Sequence, residues 1–375
     1  MKYALHGTTL FLLLSFSTSF SQETKPDNDI AGIVQKSGQK FIKNKHINAV
    51  SIGVFKDGQA YVEHFGEITK GKGNPPNDQT IYEVGSISKT ITGYLVAKAV
   101  LENKMKLDDD VRMYLEGHYA NLAFNGTPIT LKHLITHTSG LPTFLPFEMN
   151  GLYEKLTEEV PIEYFKLEES YSKEKFFEDL ARVKLSNEPG VTYSYSNVGA
   201  ELMGHALESV YQKSIDELLK ETIADTYHMP TMKIHLDSTE TKNLAHGYWM
   251  DSQQQAPTNL SPLWGTAGGI KMTIVDMLHY IKLQLDEEDP IVIESHKALY
   301  EVRHPMQMAY YWQVWKDKYG ISYNHHGGTS GTQNWLFIYP KYDLGISIFT
   351  NQSGPQTPAL LRKTAQKILK QVVKE

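Results

Sequence analysis

Apolar and polar positions alternate through Ala49-Val50-Ser51-Ile52-Gly53-Val54-Phe55, and the pattern resumes in Ala60-Tyr61-Val62-Glu63-His64-Phe65 after Asp57-Gly58. Two alternating runs around an Asp-Gly pair predict a β-hairpin. A second strand pair is predicted over positions 334–339 and 344–349, joined by Pro340-Lys341-Tyr342-Asp343. From 358 to 373 the apolar positions Leu360, Leu361, Ala365, Ile368, Leu369 and Val372 follow helical spacing. Between these ends the pattern predicts helices from about 86 to 103, from 172 to about 183, and from 197 to about 211, with an acidic break at Asp108-Asp109-Asp110. The polar and aromatic stretch 143–189 suits a lid or substrate wall. Strands at both ends with helical material between them predict an α+β fold, in which an antiparallel sheet flanked by helices carries an inserted, mostly helical lobe.

Positions 1–21 read as a cleavable signal peptide, since Leu10-Phe11-Leu12-Leu13-Leu14 is apolar but short and small residues follow to Ser21. Export to a periplasmic or extracellular location, without a stable membrane anchor, is the expectation. The remainder, 22–375, is expected to form one catalytic domain, with an α/β lobe of about 30–85 and 245–375 and a helical lobe of about 86–244. No cysteine occurs, which removes disulfides, thiolate metal sites and cysteine nucleophiles together. Folding therefore rests on an apolar core, which 41% hydrophobic residues can supply. A net charge of −6 gives no basic surface for nucleic acid.

Three segments carry candidate chemistry. In Ser86-Ile87-Ser88-Lys89, helical spacing sets Ser86 and Lys89 on one face, one turn apart. A serine hydroxyl needs a proton acceptor to become a nucleophile, and a lysine serves only when burial or nearby charge depresses its pKa. Read alone, the pair equally describes an N-cap serine and a solvated lysine. In Tyr193-Ser194-Tyr195-Ser196-Asn197, Tyr195 is a candidate proton shuttle and Asn197 a candidate substrate contact, against helix capping and packing as the plain alternative. In Asn324-His325-His326-Gly327-Gly328-Thr329-Ser330-Gly331, glycines allow backbone to approach a ligand, and a strand is expected to end near Tyr323 before this segment. His133 and His137 have i, i+4 spacing, but Leu134 stands where a zinc helix needs glutamate, so no metal or cofactor is assigned.

Taken in order, these segments resemble the serine β-lactamase and penicillin-binding protein superfamily, in the branch of class C β-lactamases, D-Ala-D-Ala carboxypeptidases, D-aminopeptidases and related esterases. Leu134-Ile135-Thr136-His137-Thr138-Ser139-Gly140-Leu141-Pro142 and Thr266-Ala267-Gly268-Gly269-Ile270 add to the likeness. The resemblance implies Ser86 as nucleophile, Lys89 as its base, Tyr195 as the group protonating the leaving group, and Asn197, His325, Gly327 and Gly328 as substrate-binding. It implies an oxyanion hole from the N–H groups of Ser86 and Gly328, and a protonated His325 holding a substrate carboxylate. The implied activity is hydrolysis of D-amino-acid peptides or related amides through an acyl-enzyme. β-Lactamase, small-acyl esterase and silent penicillin-binding receptor are the alternatives. Implied partners are small molecules or short peptides, with cell-wall peptides and β-lactams among them.

Overall fold

A computed structural model describes residues 29–373 apart from 156, 251–254 and 259–262, so the signal peptide expected over 1–21 lies outside the described residues. An eight-stranded sheet organises the chain. Its strands run in the order Gln59–Gly66, Ala49–Lys56, Leu344–Thr350, Gln333–Tyr339, Gly320–Gly328, Gln313–Asp317, Met306–Met308 and Tyr300–Arg303. Every neighbouring pair is antiparallel. The first hairpin turns through Asp57 and Gly58 at φ 49° and 78°, the mirror-image turn that matches the twist of the flanking strands. Ile52 pairs with Ile348, which joins the two ends of the chain inside one sheet.

Helices Ile30–Phe41 and Thr357–Val372 cover one face of this sheet. Val34 and Phe41 from the first, and Leu361, Ile368 and Leu369 from the second, pack with Ile52, Val54, Ile346 and Ile348. The opposite face meets helix Ile274–Gln284, whose Leu278 and Ile281 join Leu336, Ile338 and Phe349 in the larger core. That core continues into the helical segments Ser88–Leu101, Leu131–Ile135, Lys173–Leu180 and Asn197–Tyr211. Because both faces are covered, the central strands are buried throughout and carry little polar alternation.

Two expectations shift. The strand expected to end near Tyr323 runs on to Gly328, with His325 paired to Leu336 and Gly328 to Gln333. Glycine is a poor strand former, but pairing with Gln333–Tyr339 carries the strand on through these residues, while the pairing on its other side ends at Asn324. The helix expected over 172–183 spans Lys173–Leu180, capped by Ser172. It ends in tighter turns, Arg182 N–H to Asp179 O at 2.9 Å and Val183 N–H to Leu180 O at 3.2 Å.

Candidate active site

Strand Ile81–Glu83 pairs with Lys271–Thr273 and delivers the chain into a 3₁₀ turn, Gly85–Ile87, before helix Ser88–Leu101 begins. Ser86 therefore sits in the turn that feeds the helix rather than in the expected helix over 86–103. Gly85 adopts φ 53°, and a Cβ there would lie 2.5 Å from Gly328 N. A Cβ on Gly327 would lie 2.0 Å from Val84 O. Two glycines thus permit the backbone contact that seats the Gly320–Gly328 strand against the serine turn. The helix after Ser86 is buried all round from Ser88 to Ala97, which is why no amphipathic stripe marks it in the sequence.

Lys89 is fully buried on this helix. Its Nζ lies 3.2 Å from Ser86 Oγ, 2.7 Å from Asn197 Oδ1, and in contact with Ala267 O. Desolvation holds the Lys89 pKa well below that of a free lysine, and the charge of Glu201 opposes the shift only in part. The shift favours the neutral amine, which has two N–H bonds and one lone pair. Asn197 Oδ1 and Ala267 O can only accept, so they take the two N–H bonds and the lone pair is left for Ser86.

Tyr195 donates its hydroxyl to Ser86 Oγ at 2.7 Å, and burial raises its pKa above that of a free phenol. The same tyrosine ring lies under Lys89 Nζ, 4.8 Å from the ring centre. Ser196 caps helix Asn197–Tyr211 through Gly199 N–H, so capping and chemistry coexist in this segment. His137 fixes its position: Nδ1 accepts from Ser196 N–H at 3.3 Å, the main-chain O accepts from Ser194 N–H, and the ring packs against Tyr195, tilted by 36° with centres 4.4 Å apart. His133 is engaged elsewhere, its Nδ1 accepting from Thr130 N–H in a capping box. Helix Leu131–Ile135 ends before His137, which has φ 56°, so the two imidazoles share no helix face. Among the described residues no group of three or more His, Asp or Glu side chains is placed to hold a metal.

The third segment is stitched to the first through Glu83. Its carboxylate accepts from Thr329 Oγ1 at 3.0 Å, and its main-chain O accepts from Thr332 Oγ1 and Asn334 Nδ2. His325 is buried on the cleft wall, and its Nδ1–H donates to His326 O at 2.7 Å. Burial drops its pKa to about 3. Burial thus favours the neutral imidazole over the protonated form that would hold a substrate carboxylate better. His326 is likewise lowered to about 4 by burial.

These groups open on a cleft of about 520 Å³ lined by Ser86, Tyr195, Asn197, His325, His326 and Gly328. Gly327 lies behind it, against the serine turn. Phe144, Tyr164, Phe165 and Glu168 close one side, which gives the 143–189 stretch the wall position expected of it. Tyr164 and Phe165 come from helix Val160–Glu169, which sequence periodicity did not signal. Sequence reading also missed Ala267, Glu83, Glu201 and the placing role of His137. A main-chain acceptor such as Ala267 O leaves no trace in residue type, although the glycine-rich run around it marked the place.

The Beta-lactamase family profile matches residues 31–370. Protein flp from Staphylococcus aureus (strain N315) is 25% identical over 353 residues, covering 90% of this chain and 66% of its own length. This chain thus spans just under two thirds of that relative. A β-lactamase from Providencia stuartii is 26% identical over 288 residues, covering 76% of this chain and 67% of its own. Among solved structures, a β-lactamase/D-alanine carboxypeptidase from Yersinia pestis superposes with a TM-score of 0.77 at 20% identity, over 92% of this chain and 99% of that one. A class C β-lactamase superposes with a TM-score of 0.78 at 20% identity, over 94% and 98%. With a profile match over most of its length, the chain belongs to the Beta-lactamase family.

Proposed function

We propose that Ser86 is the nucleophile of an exported hydrolase that cleaves D-amino-acid peptides or related amides and esters through an acyl-enzyme. The observation that carries this reading is Ser86 Oγ, held 3.2 Å from the Lys89 amine and 2.7 Å from the Tyr195 hydroxyl. Export rests on the sequence of positions 1–21.

The steps follow from the protonation states. Ser86 passes its proton to the Lys89 lone pair as Oγ bonds to the substrate carbonyl carbon. The carbonyl π electrons move to oxygen, and the N–H groups of Ser86 and Gly328 are the proposed donors to that oxyanion. On collapse the bond to the leaving nitrogen or oxygen breaks. The leaving atom takes the Tyr195 hydroxyl proton, and Tyr195 recovers one from the Lys89 ammonium. The raised pKa of the phenol disfavours a standing tyrosinate, so Tyr195 relays a proton rather than storing charge. Water then replaces the leaving group and the same transfers run in reverse, which regenerates Ser86. Asn197 serves first as a clamp on the Lys89 amine and second as part of the cleft lining.

An activated acyl ester incubated with the protein should add one acyl mass, and peptide mapping should place it on Ser86. Ser86→Ala should show no adduct and no turnover. Turnover surviving in Ser86→Ala overturns the proposal. For export, material recovered outside the producing cell should begin at Gln22.

A further inference from the structure

The charge inventory of the cleft restricts what can sit on the leaving side of the scissile bond. Among the described residues that line it, none is lysine or arginine. The undescribed stretches 251–254 and 259–262 contain neither residue. Lys89 and Lys271, on the elements that flank the serine turn, are occupied. Lys89 gives its N–H bonds to Asn197 and Ala267. Lys271 donates to Ile234 O at 3.0 Å and Gly269 O at 2.9 Å, on the strand that pairs with Glu83.

The histidines do not replace a fixed cation. His325 spends its Nδ1 proton on His326 O, a group that only accepts, so in the neutral ring Nε2 carries a lone pair. His326 Nε2 lies 3.1 Å from Gln333 Oε1. The carboxamide orientation is fixed by Gln333 Nε2 donating to Ser353 Oγ at 3.0 Å, so Oε1 accepts and the His326 proton is spent as well. Two carboxylates, Glu83 and Glu168, line the same cleft. A substrate carboxylate entering here loses its hydration and meets no lysine or arginine among the described lining residues.

We infer that this cleft selects acyl donors whose leaving side bears no carboxylate, namely uncharged or amine-bearing amides and esters, and discriminates against free-acid C-termini and carboxylate-bearing lactams. The inference rests on the acyl-serine reading above and narrows it away from carboxypeptidase and β-lactamase chemistry.

The test uses two activated thioesters with one acyl group: benzoylglycyl thioglycolate as the free acid, and its methyl ester. Both deliver the same acyl group to Ser86, so kcat/KM compares the leaving sides alone. The methyl ester should be preferred by at least about tenfold, the factor associated with one missing charge-assisted hydrogen bond. His325→Lys should shrink or reverse that preference. Gln313→Lys, at a half-buried lining position on the neighbouring strand, should shift it in the same direction if the first variant does not fold. Equal use of both substrates, preference for the free acid, or turnover of neither by the wild-type protein overturns the inference. So does an unchanged ratio in the folded variants. Ser86→Ala, run alongside, separates the two claims: loss of both activities together with a free-acid preference in the wild type removes only the selection argument.

Discussion

The corner that holds Ser86 and the wall that faces it across the cleft are built on different physics. Ser86, Lys89 and Tyr195 are positioned by hydrogen bonds from the serine helix, the Asn197–Tyr211 helix and the turn at Ala267. Lys89 and Asn197 are buried while Ser86 and Tyr195 are half-buried, so a missing partner at the lysine leaves a desolvated polar group and costs on the order of 1–3 kcal/mol. The wall is aromatic packing: Phe144 meets Tyr164 edge-on at 5.5 Å and Trp264 at 6.1 Å, and Phe165 is half-buried. Packing of this kind tolerates a change of shape, whereas the corner tolerates almost none. Chemistry is therefore fixed in one region and selectivity is adjustable in the other.

Changes to the corner should give the largest effects. Ser86→Ala abolishes acylation, and Lys89→Met lowers the acylation rate by at least about 10³-fold while the far-ultraviolet spectrum stays native. Near-normal acylation in Lys89→Met breaks the comparison at its strongest point. Tyr195→Phe removes only a hydroxyl and should slow turnover by about 10²-fold. A rate within about twofold of wild type shows that the ring packs and does nothing more.

Acid should expose the same dryness through stability. His296 and His325 have folded-state pKa values of about 3 and His326 about 4, all lowered first by burial. An unfolded chain titrates these side chains near pH ~6.5, so on acidification the unfolded state takes up protons that the fold refuses. Their contribution is intact above pH ~6.5 and is lost as pH falls toward about 3. Each such histidine should cost about 1.4 kcal/mol per pH unit within that window. Denaturant midpoints read at pH 7 and pH 5 check this, and equal midpoints contradict neutral buried histidines.

The wall should give the smallest effects and act on selectivity alone. Phe165 and Glu168 also line a neighbouring cavity of about 640 Å³. Phe165→Ala should open the cleft toward it, raising kcat/KM for a bulky acyl donor severalfold and leaving a small donor within about twofold. A large, uniform loss for both donors places Phe165 in the catalytic corner instead.

Legibility in the sequence follows the same division. Local patterns revealed the first hairpin, the second strand pair and the helix from Asn197 to Tyr211, because each is written in alternation, turn chemistry or a cap within a few residues. The Ser-x-x-Lys pair, Tyr195 and Asn197 were readable as residue types, and the structure brings all four side chains together. Strands Tyr300–Arg303, Met306–Met308 and Gln313–Asp317 were not marked, since each is only three to five residues long and its half-exposed polar positions blur the alternation. His325 shows the limit best: its type suggested a cation, and its burial in the sheet favours the neutral ring. Glu83 acts through three donors roughly 250 residues away, a relation no local pattern encodes.

The central claim is that dryness makes Lys89 a neutral base for Ser86, and the pH dependence of acylation tests it most directly. An uncharged ester donor keeps substrate ionisation out of the profile, and Tyr195→Phe run in parallel shows whether the phenol contributes a limb. Followed from pH ~8 to pH ~10, the rate should level off if desolvation lowers the Lys89 pKa below that of a free lysine. A lysine with the ordinary pKa of about 10.4 requires a rate that still climbs about tenfold per pH unit across that interval, and that result would contradict the account.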